Sequence, residues 1–276
     1  LLKCEGEYTC RTSGGDICLT TVKGKVDAGT SGGDITCRNC GDDLSLKTSG
    51  GELDLRDLTG EVNARTSGGD VTVVNLKGYP SVGTSGGDVY LENIESSRTI
   101  KGSTSGGDVE AVRIIGNLDV STSGGDIYAE NVKGSLEAGT SGGDIEVSEI
   151  FGGADLSTSG GDIEASGMMG FVEAGTSGGD VEVVIAEYRK DTDQHIVMKS
   201  SGGTLQLYLP ANFKGTIDAS IKVGGRWDDY NIFSDFPLKV SRESENERSS
   251  RGRNDYGYIV ATGDINGGGN RIELKT

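Results

Sequence analysis

The fold is decided by one stretch: Thr140-Ser141-Gly142-Gly143-Asp144-Ile145-Glu146-Val147-Ser148-Glu149-Ile150-Phe151-Gly152-Gly153-Ala154-Asp155-Leu156-Ser157. Ile145 and Val147 alternate with Asp144, Glu146 and Ser148, a period of two that predicts a strand. Ile150 follows past a bend, and Gly152-Gly153 marks a turn. Ala154, Leu156 and Thr158 then alternate with Asp155 and Ser157 in a second strand. At Thr158 the same text begins again. Thr-Ser-Gly-Gly-Asp opens at Thr12, Thr30, Thr66, Thr84, Thr104, Thr122, Thr140, Thr158 and Thr176. A copy at Thr48 ends in Glu52, and Ser200-Ser201-Gly202-Gly203-Thr204 is a degenerate eleventh. The spacing is 18 residues, stretched to 20 after Thr84 and to 24 after Thr176.

A unit of this size buries only about six small side chains and cannot fold alone, whereas stacked units bury them in continuous columns. No unit carries a helical pattern. The chain is therefore expected to be all-β: a right-handed parallel β-solenoid of 18-residue coils, with neighbouring coils about 4.8 Å apart. Residues 1–209 are assigned to the repeats. Residues 210–276 are assigned to a C-terminal capping region continuous with them. There Leu205, Leu207 and Leu209 lead into Pro210-Ala211-Asn212-Phe213, and Trp227, Tyr230, Phe233 and Phe236 concentrate the aromatic residues. The polar run from Ser241 to Arg251 is expected to be mobile.

Composition bounds the function. The net charge is −17, hydrophobic residues are 33% and aromatics 5% of the 276-residue chain, and no apolar run reaches the length of a membrane span. Acidity argues against nucleic acid, because phosphate binding needs clustered Lys and Arg. The paired glycines are expected to supply backbone angles for a tight corner. They do not read as a phosphate cradle, since no helix start or Lys follows them. Thr shares the inward parity of Leu and Ala. Small outward residues, such as Gly139, Ser157 and Gly175, predict a flat Ser/Gly strip suited to lateral packing.

Asp recurs at the fifth position of the unit, and a second acid often follows two residues later. A file of carboxylates at coil spacing repels itself and needs an offset. One offset is hydrogen bonding from the backbone and hydroxyls of each Asp's own corner. The other is Ca²⁺ bridging Asp108, Asp126, Asp144, Asp162 and Asp180, with Glu110, Glu146, Glu164 and Glu182 adding oxygen ligands. The five cysteines lie in the first 40 residues. Cys37-Arg38-Asn39-Cys40 has thiol-site spacing, although Cys10, Cys37 and Cys40 also fit as small buried hydrophobes. The single His195 has no nucleophile motif around it, and acids that recur in every coil read as structural rather than catalytic. No enzymatic activity is expected.

Three further runs complete the picture: Leu207-Tyr208-Leu209-Pro210-Ala211-Asn212-Phe213, Ser234-Asp235-Phe236-Pro237-Leu238 and Gly263-Asp264-Ile265-Asn266-Gly267-Gly268-Gly269-Asn270-Arg271-Ile272. In this order, after the repeats, they resemble the adhesin-labelled family of β-strand-repeat proteins. That resemblance implies a β-solenoid of the bacterial or archaeal cell envelope or extracellular space, and it carries no catalytic residue. It implies a scaffold that presents a repetitive acidic and Ser/Gly surface to a cell-surface polymer, glycan or protein partner. A carbohydrate-active β-helix enzyme and a self-associating fibre subunit are the alternatives.

Overall fold

The computed structural model describes residues 2–224, 230–249 and 252–276, with side chains for 5–224, 230–243 and 257–276. Trp227 falls outside them. The described chain is all-β, and its coils stack in parallel for about ten turns. Register is kept residue for residue. Ile127 pairs with Ile145, Ile145 with Ile163 and Ile163 with Val181 on one side of the coil. Leu136, Ala154, Val172 and Ile196 pair in the same way on the other. Inward residues of both strands form one core running from Leu19 to Ile272, filled by small aliphatic side chains.

The same bend recurs from coil to coil at a residue of positive φ. Asn39, Asp57, Asn75, Asn93, Arg113, Asn131 and Glu149 hold this place, with φ between 53° and 60°. Asn and Asp tolerate this left-handed region better than other side chains, which explains their recurrence. Their amides also form a ladder along the rod. Asn75 Nδ2 donates to Asp57 Oδ1 (2.9 Å), Asn93 Nδ2 to Asn75 Oδ1 (3.1 Å) and Arg113 Nε to Asn93 Oδ1 (2.8 Å).

The Thr-Ser-Gly-Gly-Asp glycines correct one expectation. None has positive φ, so backbone freedom is not their purpose. The second glycine is required by proximity: a Cβ on Gly51 or Gly143 would overlap the carbonyl of the equivalent glycine one coil earlier. The first glycine sits in ordinary contact, 3.4 Å from a Gly142 Cβ to the nearest atom, the Gly124 oxygen.

The C-terminal region extends the rod's second-strand sheet. The last strand, Asn270–Lys275, pairs in parallel with Ile196–Lys199 and, on its other side, with Gly215–Gly224. Gly215–Gly224 then pairs antiparallel with Gly252–Ile265, which pairs with Lys239–Ser249. The run expected to be mobile is thus the outer strand of a hairpin, because its alternation is masked by charged residues. Such charges suit an edge strand, where they discourage further pairing. Phe213 is fully buried, meets Tyr188 edge-on at 5.6 Å and closes the end of the core with Ile217, Ala261 and Ile265.

Candidate functional site

The repeated corner is built from Thr and Asp. Thr140 Oγ1 donates to the Gly125 carbonyl of the preceding coil (2.9 Å) and accepts from the Gly143 N–H of its own corner (3.4 Å). Thr30, Thr48, Thr84, Thr104, Thr122, Thr158 and Thr176 repeat both bonds. Inward parity is therefore right, but the hydroxyl bonds backbone rather than the next Thr. The Asp column works across coils as well. Asp108 Oδ1 accepts the Asp126 N–H (2.7 Å), Asp126 that of Asp144 (2.8 Å), Asp144 that of Asp162 (2.8 Å) and Asp162 that of Asp180 (2.7 Å). Asp180 accepts the Thr204 N–H at 2.6 Å. The donor belongs to the following corner, not the same one. In a parallel stack that N–H points along the axis at a place where no backbone carbonyl lies.

Glu146, Glu164 and Glu182 stand in register on the adjoining strand, with Tyr128 between Glu110 and Glu146. Among the described residues, no three His, Cys, Asp or Glu side chains converge as a metal-binding group. Cys37 and Cys40 are both buried in the core, between Leu19 and Leu55 and between Val22 and Leu58 respectively. Burial and the hydrogen bond to Cys40 push the Cys37 thiol up, and the same bond draws the Cys40 thiol down to about 7. Cys10 is half-buried and Cys18 is exposed.

Two surfaces vary from coil to coil. The first is a groove of about 600 Å³ running along the rod beside the bend. One wall is Asp57, Asn75, Asn93, Arg113 and Asn131, and the other is Thr59, Lys77, Glu95, Ile115 and Lys133. Its charges are largely matched internally. Lys77 meets Glu95 at 2.8 Å, which raises the Lys77 pKa, and Arg113 meets Glu92. Ile115 is an exposed apolar side chain at its edge. No aromatic residue lines it.

The second is the flat outer face of the second strands. Small residues do run along it as Ser121, Gly139, Ser157 and Gly175, but they are flanked by acids that sequence reasoning missed. Asp119, Glu137, Asp155 and Glu173 are paired strand to strand in one file. Like charges directly opposite are destabilising. Burial and the charge of Glu173 push the Asp155 carboxyl up. Lys101 caps one end of the file at Asp119 (2.9 Å). His195 caps the other through Nε2 to Glu173 Oε1 (3.1 Å). His195 also bonds Asp193 (2.9 Å) and stacks on Phe171, with the rings 5.0 Å apart and nearly parallel. Reading the residue two before the end of each repeat as a column would have exposed this file.

Fold and surfaces together define a parallel β-solenoid repeat protein in which the repeated polar groups are consumed by coil stacking. Residues 38–151, about six coils and less than half the chain, match the family model described as Toastrack DUF4097, a description that names no activity. No curated protein and no solved structure matches the chain. No helix among the described residues is long and apolar enough to cross a membrane.

Proposed function

We propose that the protein is a non-enzymatic, adhesin-like scaffold of the cell envelope or extracellular space that holds a repetitive partner along its axial groove. The observation that carries this reading is the groove itself. Along five successive coils one wall carries the amides of Asn75, Asn93 and Asn131 together with Asp57 and Arg113, and the groove as a whole holds acids and bases in near balance inside a chain of net charge −17. A linear, uncharged, hydroxyl-rich polymer such as a glycan matches such a wall. Its repeating units meet repeating donors and acceptors, and Lys77, Glu95 and Arg113 already hold ion-pair partners. The cell-surface placement rests on the resemblance of the repeats and C-terminal runs to adhesin-labelled proteins. The described residues give an enzyme reading no support: among them no aromatic-lined cleft holds a non-repeating pair of acids.

A glycan array and co-sedimentation with insoluble envelope polysaccharide test the proposal. Asn75→Gly and Asn93→Gly keep the left-handed bend while deleting the amides. Each alone is expected to weaken binding by less than about tenfold, and the pair by more, because the contacts repeat. Loss of all binding from one substitution, or no binding to any glycan, overturns the reading. Calcium bridging along the Asp and Glu columns belongs to the same proposal. Heat on titration and a raised melting temperature support it, and neither response to Ca²⁺ removes it. A divalent ion there would compete with backbone N–H groups for each Oδ1.

A further inference from the structure

We propose that the flat second-strand face docks a second copy of this chain, antiparallel, in a closed two-fold dimer. The face is divided by charge. Lys47 and Arg65 stand exposed at the ends of two neighbouring strands, and neither makes an ion pair among the described residues. Glu137 and Asp155 stand exposed on two other neighbours, and they too lack an ion-pair partner there. The acids at either end of their file are already engaged, Asp119 by the Lys101 ammonium and Glu173 by the His195 ring. On this face, within the seven strands from Gly41–Lys47 to Ala154–Ser157, the charges without an ion pair are therefore two cations and two anions; Lys199, exposed and likewise without one among the described residues, lies two strands beyond.

Their placement is symmetric. Counting along the sheet from strand Ile100–Ser103, Arg65 lies two strands before it and Glu137 two strands after. Lys47 lies three before and Asp155 three after. A two-fold axis along Ile100–Ser103 reverses the rod direction and keeps the strand direction. It therefore lays Arg65 over strand Leu136–Gly139 and Lys47 over strand Ala154–Ser157. The long basic side chains then face Gly139 and Ser157, where little side chain competes for space, with Glu137 and Asp155 two residues away on the same strands. Arg65 already lies flat: its Nη1 sits 3.2 Å from where a Gly83 Cβ would be. Lys101 faces its own mate near the axis, but Asp119 offsets its charge. An isologous contact of this kind satisfies both pairs twice.

The seven strands involved span roughly 30 Å by 13 Å. That is about 400 Å² per copy, roughly 800 Å² in all, below the size of a standard stable interface, so complementary charge rather than area has to hold the contact. Dimerisation is expected to be weak, at roughly 100 micromolar, and to weaken further as salt rises.

Sedimentation equilibrium of the full chain at low and high salt tests this, with circular dichroism confirming folded variants. The wild type is expected to be dimeric at low salt. Arg65→Glu and Glu137→Arg are each expected to weaken self-association at least about tenfold. An equimolar mixture of the two should recover a heterodimer, because one charge pair is restored with reversed sign and its symmetry mate keeps the native sign. A wild type that stays monomeric at low salt overturns the proposal. So does a dimer indifferent to both reversals, a mixture that fails to associate, or open-ended growth into fibres.

Discussion

The Thr-Ser-Gly-Gly-Asp corner and the flat second-strand face are made by the same coils, yet they use their polar residues in opposite ways. At the corner the residues hardly change from coil to coil, and each is committed to the coil before or after it. On the face the residues change from basic through small to acidic, and four central charges have no ion pair among the described residues. The contrast teaches how to read a solenoid. Strict repetition marks groups consumed by stacking, while variation marks surface left for something else. Repeated acids at the corner are part of the scaffold, and the informative acids are the ones that appear in only some coils.

The sharpest way to break this comparison is at the corner glycines. Gly143→Ala forces a methyl group into the Gly125 carbonyl and should cost about 2–3 kcal/mol, the range of overpacked sites. Gly142→Ala, one residue away with ordinary clearance, should fall within about 0.5 kcal/mol of wild type. Urea denaturation of the two variants measures the difference. Equal effects would mean that the pair serves a turn conformation after all, and that coil-to-coil approach is not the constraint.

The Asp column comes next in size. Asp126→Ala strands the Asp144 N–H and should cost about 1.5–3 kcal/mol, as for a lost hydrogen bond to a charged group. Asp126→Asn keeps an acceptor, so it should lose no more than about 1 kcal/mol. If Asp126→Ala proved harmless in denaturation without added metal but abolished a Ca²⁺-dependent rise in melting temperature, the column would be a cation site rather than a backbone cap.

His195 gives a smaller effect with a definite sign. Burial lowers its pKa, and the bonds to Asp193 and Glu173 together outweigh that, so the net shift is upward. A group whose folded pKa is raised contributes its stability below its unfolded value, about 6.5. It loses that contribution as pH rises through the folded value. Asp193 is shifted down by its bonds to His195, so its contribution is lost at the acid end instead. The pair should therefore support the segment around residues 186–195 most strongly above the unfolded value of Asp193 and below that of His195. Unfolding free energy from urea denaturation should decline between pH 5 and 9 more for wild type than for His195→Gln, by about 1 kcal/mol at most for so accessible a cluster. Parallel profiles would show that the Phe171 stack alone holds that segment.

How far these regions were legible in sequence follows from what each rests on. Period, parity and the positions of Ile145, Val147, Leu156 and Thr158 are local signals, and they place the strands and the inward Thr correctly. The partner of Asp126 lies 18 residues away, so its bond depends on stacking direction and could not be assigned within one corner. The role of Gly143 was misread for the same reason: its neighbour is the preceding coil. The acid file was visible as a column of the aligned repeats, but its members lie one per unit. The strand at Lys239–Ser249 was hidden because an edge strand may be charged along both faces. Cys37 and Cys40 fit their inward parity, and the sequence could not show that the Cys40 thiol would meet the Leu19 and Arg38 carbonyls.

One coil inside the corner column offers a test that adds an interaction instead of deleting one. Glu52 replaces Asp at the fifth position. Its own N–H is accepted by Asp34 Oδ1 at 2.9 Å, like every other rung. No carboxylate bond runs from Glu52 to the Asp70 N–H, whereas Asp70 in turn accepts the Asp88 N–H at 2.8 Å. The extra methylene carries the carboxylate past the point where Oδ1 sits in its neighbours. Glu52→Asp should close the ladder and stabilise the chain by about 0.5–1.5 kcal/mol, the net worth of a typical hydrogen bond. It leaves the formal charge at −17, so general electrostatics cannot account for a gain. Asp→Glu at Asp126 should open an equivalent gap and lose a similar amount. If both substitutions leave the denaturation midpoint unmoved, the Asp column is tolerated by the stack and does not secure it. The distinction between consumed and available acids would then have to be drawn by exposure alone.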